Sequence, residues 1–214
     1  MFPAFLTTIL FSISAVTGTK AARLFGGTEA NFWRLCVATL FLGCLAHTIG
    51  IGLGGVGFII LFVSGCIGFG IGDVALFQGY VRIGSRLTIL LVQCLAAPFA
   101  ALTEWLWLGN ALSAVEIACG ITILVGVGLA LAPGEHIEIT PRKLYVGVFF
   151  GLVAAYCQGF GAVLSRKAYE VIEAGGGSID GISTAYQRIL GGLLVSGLLL
   201  LFVKREEIWK QCVE

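Results

Sequence analysis

Residues 56–80 read VGFIILFVSGCIGFGIGDVALFQGY, and Asp73 is the one charged residue in this run. About 20 apolar residues in a helix cross the ~30 Å hydrocarbon core of a bilayer, so the stretch is long enough to span a membrane. Only helices and closed barrels satisfy all backbone hydrogen bonds in lipid. The stretch therefore predicts a membrane-spanning helix that carries a carboxylate.

The composition of the whole chain agrees with this prediction. Of its 214 residues, 58% are hydrophobic and 12% are charged, whereas soluble domains carry roughly 25% charged residues. Most of the exterior must therefore contact the lipid bilayer. The 13 basic and 12 acidic side chains nearly balance, and this argues against binding to nucleic acid, which requires a net basic face.

Seven apolar runs, bounded by charges, glycine or proline, predict an all-α integral membrane protein with about seven transmembrane helices. Small residues recur every four positions on the third, fifth and sixth helices, a pattern typical of close helix packing. The first run lacks the basic residues that begin a signal peptide, so we expect it to be retained. The predicted helices cover residues 3–19, 32–50, 56–80, 87–108, 114–131, 144–164 and 184–203.

The cysteines and histidines do not indicate a metal site, a disulfide or a bound cofactor. Six of the seven cysteines lie inside apolar runs, where cysteine behaves as a small hydrophobic residue. No pair has the spacing of metal ligands, and the two histidines, His47 and His136, are far apart in the chain. The six cysteines are Cys36, Cys44, Cys66, Cys94, Cys119 and Cys157.

An internal repeat relates the first two helices to the last two. Residues 15–21 (AVTGTKA) are similar to residues 162–168 (AVLSRKA), and Arg34 and Arg188 follow at matching places near the start of the next helix. The two copies lie five helices apart. Because each helix crosses the membrane once, an odd number of helices between equivalent positions inverts the second copy relative to the first, as in many secondary transporters.

This repeat predicts the organisation of the chain. Residues 1–133 form a complete five-helix repeat, residues 134–143 a linker, and residues 144–214 the first two helices and charged tail of an inverted second repeat. We expect a shortened or partial form of a ten-helix protein. A homodimer or missing C-terminal helices would then complete the bundle.

The pattern resembles the EamA-type permeases of the drug/metabolite transporter (DMT) superfamily. The resemblance implies a transporter of small organic solutes and no enzymatic activity. Two positions depart from the family pattern: Asn110 replaces a glutamate, and Phe11-Ser12 replaces a tryptophan-glycine pair. The residues that carry the resemblance are Ser14-Ala15-Val16 with Lys20, Trp33-Arg34-Leu35, Ala75-Leu76, Gly84-Ser85, Pro98, Leu108-Gly109, Gly120 and Gly126.

Asp73 is the first candidate for a substrate or ion pathway, because an ionisable group inside a span costs about 2.5–3.5 kcal/mol. It is either a proton, cation or amine site, or the partner of Arg34 or Arg188 in an ion pair that holds helices together. The two arginines could themselves reach lipid headgroups or turn inward to bind an anionic substrate. We weigh these functional and structural interpretations of Asp73 equally.

The other pathway candidates are polar or helix-bending residues. Gln78 and Arg82 are four residues apart on one helical face and could form a pocket rim. Pro98 removes one helical hydrogen bond, so we expect a kink between Gln93 and Pro98 that opens onto a cavity. Gln158 is a further candidate on the sixth helix. Lys20, Lys167 and Glu104 are expected to be helix-end or membrane-interface charges.

The leading hypothesis is a multi-pass permease of the cell membrane (inner or plasma) that moves a small organic metabolite by alternating access. One alternative is a non-transporting remnant or an assembly subunit that needs a partner. A lipid-modifying membrane enzyme is less favoured, because the glycine-rich stretch at residues 50–55 has no neighbouring lysine, arginine or serine for phosphate and the histidines are scattered. Most lysines and arginines fall on one predicted side, which places the N-terminus outside, whereas the resemblance implies a cytoplasmic N-terminus.

Overall fold

The computed structural model describes residues 2–109, 112–131 and 140–213, and these residues are helical apart from short connections. The helical architecture predicted from the sequence is confirmed. In chain order the elements are α1 (Phe2–Phe25), α2 (Gly27–Thr48), α3 (Phe58–Gly65), a π-helical segment (Cys66–Gly72), α4 (Asp73–Thr103), a second π-helical segment (Glu104–Leu108), α5 (Ala114–Leu131), α6 (Pro141–Ala174) and α7 (Gly181–Val213).

Five helical stretches among the described residues are long and apolar enough to cross a membrane. The apolar part of α5, Ala114–Gly126, is shorter than these. The five stretches are Phe5–Phe25, Gly27–Thr48, Phe58–Leu108, Pro141–Ala174 and Gly181–Lys204.

The stretch Phe58–Leu108 folds back on itself at Gly84. Its 51 residues would extend about 75 Å as one straight helix, more than twice the thickness of a bilayer core. Gly84 has φ 76° and ψ 168°, a conformation that glycine adopts readily. A Cβ placed on Gly79 would lie 2.7 Å from the side chain of Thr88, so the arms on either side of Gly84 pack together. They are the predicted helices 56–80 and 87–108.

Several helices extend beyond the predicted boundaries. Helix α6 continues to Ala174, although the polar stretch from residue 165 was expected to leave the helix. Charged side chains of this stretch pair with each other along the surface of the helix. Lys167 Nζ, for example, lies 3.0 Å from Glu170 Oε2. Helix α6 also begins at Pro141, three residues before the predicted start, since proline suits the first turn of a helix. Most of the predicted linker, residues 134–139, lies outside the described residues.

Helices α2 and α7 run antiparallel. At one end, Lys204 Nζ lies 3.5 Å from Glu29 Oε1. At the other end, the rings of His47 and Tyr186 are 5.5 Å apart. The proposed inverted repeat makes α2 and α7 equivalent, and equivalent helices of an inverted repeat must point in opposite directions.

Small residues bring α3 and the first π-helical segment close to α6 and α7. A Cβ on Gly65 would lie 1.7 Å from the backbone oxygen of Arg188, and one on Gly191 would lie 2.1 Å from the backbone oxygen of Phe62. Ser64 Oγ donates a hydrogen bond of 2.7 Å to the backbone oxygen of Gly161. Such approaches are typical of packing between membrane helices, and they place Arg188 beside the helix that leads to Asp73.

Candidate functional site

A cavity of about 250 Å³ lies in the middle of the bundle, where five of the helices and the first π-helical segment meet. Three of its lining side chains are charged, and most of the others are apolar or aromatic. The residues that line it are Phe11, Ser14 and Ala15 from α1, Arg34 from α2, Gly68 and Phe69 from the π-helical segment, Asp73, Leu76, Phe77 and Tyr80 from α4, Gln158 from α6, and Arg188 from α7.

Asp73 is the acidic centre of this cavity. It is the first residue of α4, directly after the first π-helical segment, and it is buried with 4% of its surface exposed. Arg34 Nη2 donates a hydrogen bond to Asp73 Oδ2 and forms an ion pair with it. The ion pair expected as the structural interpretation of Asp73 is therefore present, with Arg34 as the partner.

Asn31 and Ser196 extend this ion pair into a network across three helices. Arg34 Nη2 also donates to Asn31 Oδ1 at 3.0 Å, and Asn31 Nδ2 donates to Ser196 Oγ at 3.3 Å. Both Asn31 and Ser196 are fully buried. Neither residue was predicted from the sequence as part of the site. Asn31 lies three residues before Arg34 and therefore on the same helical face. This spacing could have identified Asn31 as a site residue.

Arg188 is the second cation of the cavity. It interacts electrostatically with Asp73, and its guanidinium carbon lies 4.7 Å from the centre of the Phe69 ring. Its Nε is buried and has no hydrogen-bond partner among the described residues. The two arginines at matching positions of the predicted repeat thus line one cavity with Asp73.

Gln158 is the fourth predicted pathway residue at this cavity. It lines the cavity together with Asp73. The structure therefore brings together four of the predicted pathway candidates, Asp73, Arg34, Arg188 and Gln158. Among the described residues, no three histidine, cysteine, aspartate or glutamate side chains cluster as metal ligands would.

Gln78 and Arg82 lie outside the cavity. They share a helical face as predicted, because Arg82 Nη1 donates to Gln78 Oε1 at 2.5 Å. Gln78 Nε2 in turn donates to Thr28 Oγ1 at 3.1 Å. Arg82 lines a separate basic groove near the Gly84 turn, together with Lys20, Arg23 and Arg86. The pair therefore belongs to one end of the bundle, where the helix-end charge Lys20 also lies.

Gln93 and Pro98 also lie away from the cavity. They line a groove between the second arm of α4 and α5, because this face of α4 is directed toward α5. Helix α4 continues through Pro98, and its non-helical residue is Gly84. The structure thus puts the main bend of this region fourteen residues before Pro98, at the turn between two spans.

The remaining predicted charges form ion pairs at one end of the bundle. Arg166 Nη1 donates to both carboxylate oxygens of Glu104, at 3.0 and 2.9 Å. Arg166 has 57% of its side chain exposed. Lys167 pairs with Glu170 along the surface of α6. None of these residues lines the central cavity.

Comparison with known proteins identifies the family of this chain. The model of the EamA-like transporter family matches residues 1–132, which include α1 to α5 and the cavity residues Arg34 and Asp73. The position of Asn110, where a glutamate was expected, lies outside the described residues. A search of curated proteins finds no matching relative. Since the family match covers more than half of its length, this multi-pass helical membrane protein belongs to the EamA-like transporter family.

Proposed function

We propose that this protein is a secondary transporter of the cell membrane that moves a small organic solute by alternating access. The cavity around Asp73 is its solute-binding site. The observation that carries the proposal is the placement of Asp73, Arg34 and Arg188 in one cavity between membrane-spanning helices. Ionisable groups inside a membrane are costly and usually serve a transport pathway, and membership of a transporter family supports the same function.

The backbone around Asp73 supports a movable site. The residues directly before it form a π-helical segment, Cys66–Gly72, with glycine at three of the buried positions. π-Helical turns occur frequently at functional sites. In the proposed mechanism, solute binding changes the contacts of Asp73 with Arg34 and Arg188, and these changes bias the packing of α4 against α2 and α7.

Alternating access can be tested without knowing the solute. Ser14 lines the cavity, so Ser14→Cys in a background without native cysteines reports whether water reaches the site. We expect a membrane-impermeant thiol reagent to modify it from either side of an oriented proteoliposome. Leu40→Cys is the control, because Leu40 is 74% exposed on the outer surface of the bundle and faces lipid in the proposed arrangement. Modification of Ser14→Cys from one side alone would contradict alternating access.

Transport itself can be tested by uptake into proteoliposomes. Radiolabelled alanine, pyruvate and benzoate represent a zwitterion and two carboxylates. We expect Asp73→Asn to reduce uptake by about tenfold or more, equivalent to ~1.4 kcal/mol. Glu104→Gln, which removes a carboxylate outside the cavity, should retain uptake. An active protein that is indifferent to Asp73→Asn would overturn the role of Asp73.

The partner expected from the sequence, a second copy of the chain or further C-terminal helices, stays a prediction. It can be checked by cross-linking the purified protein in detergent and in proteoliposomes. Full uptake by a protein that yields only monomers would contradict the need for a partner.

A further inference from the structure

We infer that the solute is a small organic monoanion, a carboxylate with an apolar body, and that Arg188 binds its carboxylate group. This inference rests on the proposed function, since it assigns the substrate class of the same cavity. It depends on three independent properties of the cavity: its net charge, its free hydrogen-bond donors and its walls.

The first property is an excess of positive charge. The charged side chains that line the cavity are Arg34, Arg188 and Asp73, so cations outnumber carboxylates by one. Arg34 already forms an ion pair with Asp73. A charge in a low-dielectric interior is unfavourable without a partner. A ligand with a single negative charge balances the cavity.

The second property is the set of unused donors on the guanidinium groups. An arginine carries five N–H donors in a planar fork. The Nε atoms of both Arg188 and Arg34 are buried and have no hydrogen-bond partner among the described residues. A carboxylate can accept two parallel hydrogen bonds from one guanidinium. Arg188 is the better candidate, because Arg34 also donates to Asp73 and Asn31.

The third property is the apolar character of the surrounding wall. The rings of Phe11, Phe69, Phe77 and Tyr80 and the side chain of Leu76 line the same cavity. Its volume of about 250 Å³ is slightly below that of most ligand pockets, which measure roughly 300–1,000 Å³. The walls therefore suit a small solute whose uncharged part is apolar or aromatic.

Two other classes of solute fit less well. The ammonium group of an amino acid needs a carboxylate, and Arg34 already occupies Asp73. A phosphate dianion carries more charge than the single excess cation can balance. Both are retained as outcomes of the test.

The test is a binding measurement on the full-length purified protein in detergent, by isothermal titration calorimetry. Four acids, acetate, butyrate, benzoate and phenylacetate, are each compared with the neutral amide of the same shape. We expect at least one acid to bind about tenfold or more tightly than its amide. Alanine and inorganic phosphate are measured in parallel. The inference is overturned if no acid binds more tightly than its amide, or if alanine or phosphate binds more tightly than every acid.

Two variants locate the anion site. Arg188→Gln should remove the preference for acid over amide, and Arg188→Lys should restore part of it, because lysine keeps the charge without the planar fork. Arg166→Gln is the matched control, since Arg166 lies on the surface and is paired with Glu104. A preference that survives in Arg188→Gln would assign the anion to another residue. The comparison of acids with amides in the unmodified protein stays decisive even if Arg188→Gln does not fold.

This measurement separates the inference from the proposed function. Acid binding together with one-sided modification of Ser14→Cys would retain the anion site and overturn the transporter. Modification of Ser14→Cys from both sides, without any preference for acids over amides, would retain the transporter and overturn the anion site.

Discussion

Arg34 on α2 and Asp73 at the start of α4 are 39 residues apart in the chain and share an ion pair inside the bundle. Both side chains line the central cavity, where Asp73 is buried and 39% of the Arg34 side chain is exposed. Arg34 also donates to Asn31, which donates to Ser196. This relationship links three helices through the proposed binding site, and it makes the stability of the bundle depend on the charge state of that site.

The first prediction concerns this pair. Arg34→Gln should destabilise the protein by about 3–5 kcal/mol, because it leaves the buried Asp73 carboxylate without its partner. Asp73→Asn should destabilise it less, because 39% of the Arg34 side chain is exposed. The double variant should be less destabilised than the sum of the two single variants. Thermal unfolding in detergent measures all three.

The pair of Arg166 and Glu104 provides the control cycle, since the Arg166 side chain is 57% exposed and ion pairs at a surface contribute about 0–1 kcal/mol. Strictly additive effects of Arg34→Gln and Asp73→Asn would show that the two side chains do not stabilise each other.

The second prediction concerns the helix crossing beside Arg188. Gly191→Ala should destabilise the protein strongly, because its Cβ would lie 2.1 Å from the backbone oxygen of Phe62. Overpacking costs about 1–3 kcal/mol even where flexible side chains can adjust, and here a backbone must shift. Gly120→Ala is the control, since nothing described lies within 4 Å of a Cβ at that position. Equal melting temperatures for both variants would refute this crossing.

The third prediction concerns Asp180, in the connection that precedes α7. Its carboxylate accepts hydrogen bonds from the backbone nitrogens of Ser183 at 2.8 Å and Ile51 at 3.0 Å. Hydrogen bonds from Ser183 and then Ile51 lower its pKa from an ordinary 3.8 to about 2. Because the pKa in the folded state is depressed, the stabilisation is present above about pH 4 and is lost as the pH falls toward 2.

Melting temperatures measured between pH 6 and pH 2 check this prediction. Asp180→Asn should lower the melting temperature at pH 6 and should remove part of its decrease between about pH 4 and pH 2. The same pH profile in the variant and the unmodified protein would mean that Asp180 does not contribute to it.

The fourth prediction concerns Gln187, which holds the connection between α2 and α3. Its Nε2 donates to the backbone oxygens of Gly52 at 2.9 Å and Gly54 at 3.0 Å. Gln187→Leu should leave both carbonyls without this donor, at a cost of about 1–3 kcal/mol for each buried unpaired group. Hydrogen exchange should therefore accelerate in residues 50–56, while the rate in the second arm of α4 stays unchanged. Unaltered exchange in residues 50–56 would contradict the role of Gln187.

Much of this fold follows from apolar length alone. The runs at residues 56–80 and 87–108 predicted two spans, and Gly84 separates them where the arms fold back. Asp73 and Arg34 could be predicted as site residues because charges are rare in such runs. The direction in which each helix face points could not be predicted in the same way. Gln93 and Pro98 lie toward α5 rather than the cavity, and only the packing of neighbouring helices decides that direction.

The uncharged polar residues mark a second limit of the sequence. Asn31, Ser196 and Gln187 are all fully buried, yet an amide or hydroxyl in an apolar run does not reveal its partner. Asn31 finds Ser196 at a separation of 165 residues. That contact depends on which faces of α2 and α7 meet, and only the assembled bundle determines those faces.

The π-helical segment Cys66–Gly72 has a consequence for the direction of Asp73. A π-helix bonds each residue to the one five positions away, so it contains more residues per turn than an α-helix. If the same seven residues became α-helical, each would turn the helix by about 100°, which is more than it does in a π-helix. Asp73 would then point away from Arg34, although no cavity side chain had been changed. The type of helix before Asp73, as well as the identity of its residues, therefore determines whether this protein has its acidic centre.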